Sequence, residues 1–146
     1  MARKTTDKQR KARIQPLFDY WTRRMGLEGS WLISWQLADN LSDGRGVIAR
    51  THTESPYRKA FVRFDRAVLD NSVQNEVEDT IVHELGHILL EEMYSSANRY
   101  FGDSFLYNEV VAPLETICDR LAAVLIGMRY GKIRPPYNDQ KSFGGA

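Results

Sequence analysis

Cysteine occurs once in 146 residues, at position 118, so no internal disulfide can staple the chain and it must close on a core of its own. A lone cysteine fits a reducing compartment, and the apolar helical neighbours of Cys118 suit packing better than nucleophilic chemistry. No apolar run approaches the roughly 20 residues needed to span a bilayer. The opening stretch Met-Ala-Arg-Lys-Thr-Thr-Asp-Lys is polar and has no signal-peptide core. No segment repeats, and no shift in composition marks a second domain. The expectation is a one-domain cytoplasmic protein with no membrane partner, ordinary in its 42% hydrophobic and 27% charged content.

Histidine is scarce too, which makes its placement informative. Of three histidines, two stand in His83-Glu84-Leu85-Gly86-His87. Four apart on a helix, they project from one face a turn apart, where two imidazoles can share one tetrahedral zinc ion. Glu84 lies beside that edge, where a carboxylate can take a proton from the attacking water. Val77, Ile81, Leu85, Ile88 and Leu89 recur at helical spacing around the motif, so the segment reads as an amphipathic, largely buried helix. Asn71 or Ser72 can cap its start, with Glu76, Glu78 and Asp79 favourable in the first turn. Burying two imidazoles and a carboxylate without a compensating partner is costly, which argues against a core helix that carries them by chance.

Charge of one sign is missing from neither half, but it is unevenly spread. Residues 1–24 hold eight Lys/Arg against two Asp, a charge of +6, so the rest of the chain sums to −5. Residues 1–13 read as a flexible basic arm, and residues 3–24 as a possible contact for nucleic acid or an acidic protein surface. Residues 1–13 contain no aromatic to stack on a base.

The remainder predicts an α+β domain over residues 14–131 and a flexible tail over 132–146. Ile14, Leu17, Phe18, Trp21 and Met25 make one helical stripe, with Pro16 suited to the first turn and Gly26 a stop. Three strands follow, at Trp31–Leu37, Val47–Thr53 and Lys59–Asp65, in a small, mainly antiparallel sheet covering the motif helix. Ala60, Val62 and Phe64 share one face of the third. Tyr94–Tyr107 reads as a long loop, and Pro113–Tyr130 as a last helix closed by Gly131.

A catalytic zinc takes three protein ligands and keeps a position open. A third histidine in the pattern His-Glu-x-x-His-x-x-Gly-x-x-His would need Gly at 90 and His at 93, where this chain has Leu90 and Met93. His52 is a weaker candidate, upstream amid strand and turn signals. Glu115 and Asp119 are four apart and share a face of the last helix. Glu115 can ligate the ion while Asp119 accepts the outer N–H of a ligating histidine. Glu109 competes as third ligand, but Pro113 stands where its supporting acid would be. Tyr94, Tyr100, Tyr107, His52 and Arg99 are all possible donors to a developing oxyanion, and the sequence does not choose among them.

His83-Glu84-Leu85-Gly86-His87 followed by Glu115-Thr-Ile-Cys-Asp119 resembles the gluzincin branch of zinc metallopeptidases. The small size and the run Asp119–Ile126 are similar to the compact ImmA/IrrE-like proteins and phage-encoded minimal metallopeptidases. The two motifs, about a third of the chain, carry this resemblance. It implies a minimal zincin-like fold, a zinc cofactor and hydrolysis of a protein or peptide substrate. It also implies that the strand Lys59–Asp65 is an edge on which an extended peptide lies. The alternatives are a zincin-scaffold binding or regulatory module acting through the basic arm, and a non-peptidase hydrolase.

Overall fold

Alternation of buried apolar with exposed residues puts Ala60, Val62 and Phe64 on one face of β3 (Lys59–Asp65), where all three are fully buried. The computed structural model describes residues 5–41, 46–101 and 105–132. In it β3 is the centre of a three-stranded sheet of order β1-β3-β2, flanked by β1 (Leu32–Ala38) and β2 (Ala49–Glu54). β2 and β3 pair antiparallel across a short 3-10 turn at Ser55–Tyr57, whereas β1 and β3 pair parallel. The sheet is therefore mixed, not mainly antiparallel. The reason is topological. The chain reverses after β1 and again after β2, and β3 then inserts between them, so its direction matches that of β1. It follows that β3 is paired on both sides and is no edge; β1 and β2 are the edge strands instead.

The sheet's inner face packs on two helices. α1 (Asp7–Arg24) contributes Ile14, Phe18 and Trp21, and α3 (Gln74–Leu89) contributes Val77, Ile81, Leu85 and Ile88. Phe18 and Trp35 meet Phe64 edge-on, with ring centroids 6.4 and 5.8 Å away. The α1 helix starts seven residues earlier than its apolar stripe predicts. Thr6 and Gln9 form a reciprocal capping box, and Arg10 is buried against Asp70 at 2.5 Å and Asp7 at 2.7 Å. Residues 7–13 are thus ordered helix rather than a flexible arm. Pro16 lies inside α1 on its exposed side, where water can satisfy the carbonyl its ring leaves unpaired.

Asp65 caps a short α2 (Arg66–Asp70) by accepting the N–H groups of Ala67 and Val68. Asn71 and Ser72, expected to cap α3, instead donate back to the Ala67 and Val68 carbonyls at the end of α2. The α3 helix accordingly begins at Gln74, where the Glu76 carboxylate accepts the Val73 N–H at 3.0 Å. The expected long loop is largely helical: α4 spans Glu91–Phe101 and α5 spans Phe105–Tyr130. Two bonds explain the first. The Tyr94 N–H reaches the Leu90 carbonyl at 3.0 Å, and Ser95 Oγ donates to Glu91 one turn below. Pro113, expected in the first turn of the last helix, instead sits inside α5 on exposed surface. The expected tail is described only at Lys132; residues 133–146 lie outside the described residues. Among the described residues no helix is long and apolar enough to cross a membrane.

Candidate metal centre

The α3 and α5 helices approach closely because α3 carries Gly86 where they cross. A Cβ there would stand 3.3 Å from Cys118 Sγ and 3.6 Å from Leu121 Cδ2. On α5, Glu115, Cys118, Asp119 and Ala122 recur at three- and four-residue spacing and face that crossing. The result brings His83 Nε2 and His87 Nε2 to 3.1 Å from each other. The Glu115 carboxylate spans the pair, with one oxygen 3.2 Å from His83 Nε2 and the other 3.2 Å from His87 Nε2.

Those separations fit one small cation. Ligand atoms about 2.05 Å from a tetrahedral ion stand roughly 3.3 Å apart. One ligand atom from each of His83, His87 and Glu115 lies within 4.8 Å of the other two, and among the described residues no other His, Cys, Asp or Glu group converges so. The outer ring nitrogen fits as well. His83 Nδ1–H donates to Asp119 Oδ1 at 2.8 Å, which leaves the Nε2 lone pair aimed at the site. Buried Cys118 stands beside His87 and helps to raise its pKa. The sequence offered no reason to pair Cys118 with His87, although its place three residues beyond Glu115 puts it on the same face of α5.

The charges around the two imidazoles favour their protonated forms. Burial pulls His83 and His87 down, but the Glu115 carboxylate and the charge of Glu84 outweigh it and leave both imidazoles above their usual range. Asp119 adds to this at His83 and Cys118 at His87, which is pushed up to about 10. The same contacts hold Glu115 well below the usual carboxylate range. With the two Nε2 atoms 3.1 Å apart, both rings cannot carry a full charge comfortably. A divalent ion relieves that conflict by replacing the protons.

Glu84 is buried, and burial raises its pKa. Its Oε2 accepts a 2.5 Å hydrogen bond from Thr51 Oγ1 on β2, and Thr51 also reaches the Glu84 carbonyl at 3.3 Å. Thr51 was not singled out from the sequence. Its signal was the alternation Ala49, Thr51, Thr53, which turns a polar residue toward the inner face beside the motif helix.

An open cleft of about 630 Å³ lies over the site, between β2 on one side and α3, α4 and α5 on the other. His52 lines it but is not among the converging ligand atoms. Glu109 is exposed and likewise outside the ligand group. Of the possible oxyanion donors, Tyr94 and His52 line the cleft, whereas Tyr100 is 82% exposed and Arg99 is on the surface. The side chain of Tyr107 lies outside the described residues.

The four residues expected to carry the chemistry, His83, Glu84, His87 and Glu115, are thus brought together, with Asp119 behind His83. What the arrangement can do is hold a metal ion beside a buried carboxylate at the foot of an open cleft. Comparison of the chain with protein-family models, with curated proteins and with solved structures finds no match.

Proposed function

We propose that the chain is a zinc-dependent peptidase of zincin type, with His83, His87 and Glu115 as metal ligands and Glu84 as general base. The observation that carries this reading is the convergence of two Nε2 atoms, 3.1 Å apart, on one carboxylate that sets a separate oxygen 3.2 Å from each. Two imidazoles and a carboxylate leave a fourth position open, which is the habit of catalytic rather than structural zinc. Bound there, zinc would polarise a scissile carbonyl and lower the pKa of the attacking water toward about 7.

The chain's own residues supply the rest. Glu84 takes the water proton and delivers it to the leaving amine. Its raised pKa brings it nearer the neutral range where a general base works best. Thr51 holds Oε2, so the other oxygen is left for the proton. Asp119 fixes the tautomer of His83. Among the described residues β2 pairs with β3 alone, so its outer edge can take the backbone of an extended peptide.

A binding module acting through residues 3–24 draws less support. Arg10 and Arg23 are in ion pairs, and Arg13 donates to Gln74 and to the Leu69 and Ser72 carbonyls, so half of the six cations of α1 are already engaged within the fold.

Metal analysis of the purified protein is expected to find about one zinc per chain, lost in His83→Ala. Glu84→Gln is expected to retain the zinc and to hydrolyse casein about 10²- to 10⁴-fold more slowly. Unchanged hydrolysis in that variant removes Glu84 from the mechanism, and unchanged zinc in His83→Ala removes the site.

A further inference from the structure

We infer, on the footing of the peptidase reading above, that the cleft selects extended peptide segments bearing an acidic side chain beside Arg50. Arg50 lines the same cleft as His83, Glu84 and Glu115. Within β2 it alternates with Thr51, so Thr51 turns inward to Glu84 while Arg50 and His52 stand on the exposed outer face of the sheet. The register places Arg63 directly across from Arg50. Two cations facing each other across a strand pair destabilise the sheet. Among the described residues neither has an acidic partner, whereas Arg10, Arg23, Arg58, Arg66 and Arg129 each sit in an ion pair. The doublet is therefore an unneutralised charge on the outer face of the sheet, and its Arg50 member reaches the cleft wall next to the outer edge of β2.

A peptide added to that edge repeats the alternation of the strand it joins. Its residue opposite Thr51 faces the metal side, where Glu84 and Glu115 disfavour an acid. The neighbour opposite Arg50 faces the outer side and meets the arginine doublet. An aspartate or glutamate at that place neutralises the cross-strand repulsion, and a lysine adds to it. A nucleic acid strand could also offer anionic groups to the doublet. It cannot, however, match the row of main-chain groups on the β2 edge, and Phe61 is the one aromatic of β3 on this face beside them, 38% exposed.

The test uses zinc-loaded Glu84→Gln protein and two labelled peptide pools of equal length, differing only in whether the charged positions are glutamate or lysine. Fluorescence anisotropy is expected to show the acidic pool binding about fivefold more tightly at low salt, as an exposed charge pair allows. The difference should fade at about 1 M salt, where exposed charges are screened beyond ~3 Å. Arg50→Glu is expected to reverse the order of the pools. The same substitution gives Arg63 an opposite partner, so a thermal midpoint no lower than that of the parent shows that the variant is folded. Equal binding of the pools, no binding of either, or an unaltered order in Arg50→Glu overturns the inference. Tighter, Arg50-dependent binding of a single-stranded oligonucleotide overturns it in favour of a nucleic-acid surface. Casein hydrolysis by the wild-type protein without acid preference defeats this inference alone. Acid preference without hydrolysis of any peptide defeats the peptidase reading and leaves the anion-selective wall.

Discussion

At the scale of single residues, the metal centre depends on what stands behind each imidazole. Asp119 Oδ1 accepts the His83 Nδ1–H at 2.8 Å, which orients the ring and raises its basicity. Asp119→Ala removes that acceptor without touching the ligand atoms. The expected outcome is zinc affinity weakened about 10- to 100-fold, read by competition with a chelator of known affinity. The same titration carries a pH dependence with a definite sign. His83 and His87 are held above their usual range without metal, His87 to about 10, so at neutral pH zinc must displace protons. Apparent affinity is therefore expected to rise with pH between 6 and about 10, and a flat profile would show that the ligands are already deprotonated. The histidines and Glu84 were legible in the sequence because their chemistry resides in a contiguous motif. Glu115 and Asp119 were legible by their four-residue spacing. Thr51 was not, since nothing local says which strand will lie beside the motif helix.

At the scale of elements, the centre exists only where α3 and α5 cross at the right depth, and Gly86 sets that depth. Gly86→Ala introduces a methyl 3.3 Å from Sγ of the fully buried Cys118, tighter than ordinary contact. The expected relief is a shift of α5 by a few tenths of an ångström, carrying Glu115 with it. Alanine also favours the helix over glycine by about 1 kcal/mol. Stability is therefore expected to change little, while zinc affinity falls on the order of tenfold, the equivalent of about 1.4 kcal/mol of misfit. Lost stability with intact affinity would mean that the crossing absorbs the methyl elsewhere. The sequence could suggest close approach at Gly86 because glycine on a buried helix face has few other uses. It could not show that β3 would insert between β1 and β2, because strand order is decided by long-range packing of Ala60, Val62 and Phe64 against α1 and α3. Nor could composition reveal α4, whose polar and aromatic residues hide a helix held by Glu91 and Ser95.

At the scale of the whole molecule, one buried carboxylate gathers three helices. Glu78 on α3 accepts Trp21 Nε1–H from α1 at 2.8 Å, Arg129 Nη1–H from α5 at 2.6 Å and the Tyr130 hydroxyl at 2.7 Å. As sequence it was only one acid among several in a first turn. In the fold it clamps the far end of α5, while Glu115 meets the histidines nearer its start, so α3 and α5 are tied at two points. Breaking a buried pair leaves its partner unpaired, at a cost of about 3–5 kcal/mol when fully enclosed. Arg129 keeps 26% of its side chain in solvent, so Glu78→Ala is expected to cost nearer the lower bound, about 3 kcal/mol, in urea unfolding of the metal-free chain. Zinc should restore much of this, because it binds only where α3 and α5 are joined. At about a thousandfold excess over Kd, binding contributes ~4 kcal/mol. For a chain of this length that is on the order of 10 °C in Tm. Chelator is accordingly expected to lower the Tm of both proteins, and to leave Glu78→Ala the less stable of the two. A Tm indifferent to zinc in both would show that the ion, if held at all, is not held between these helices.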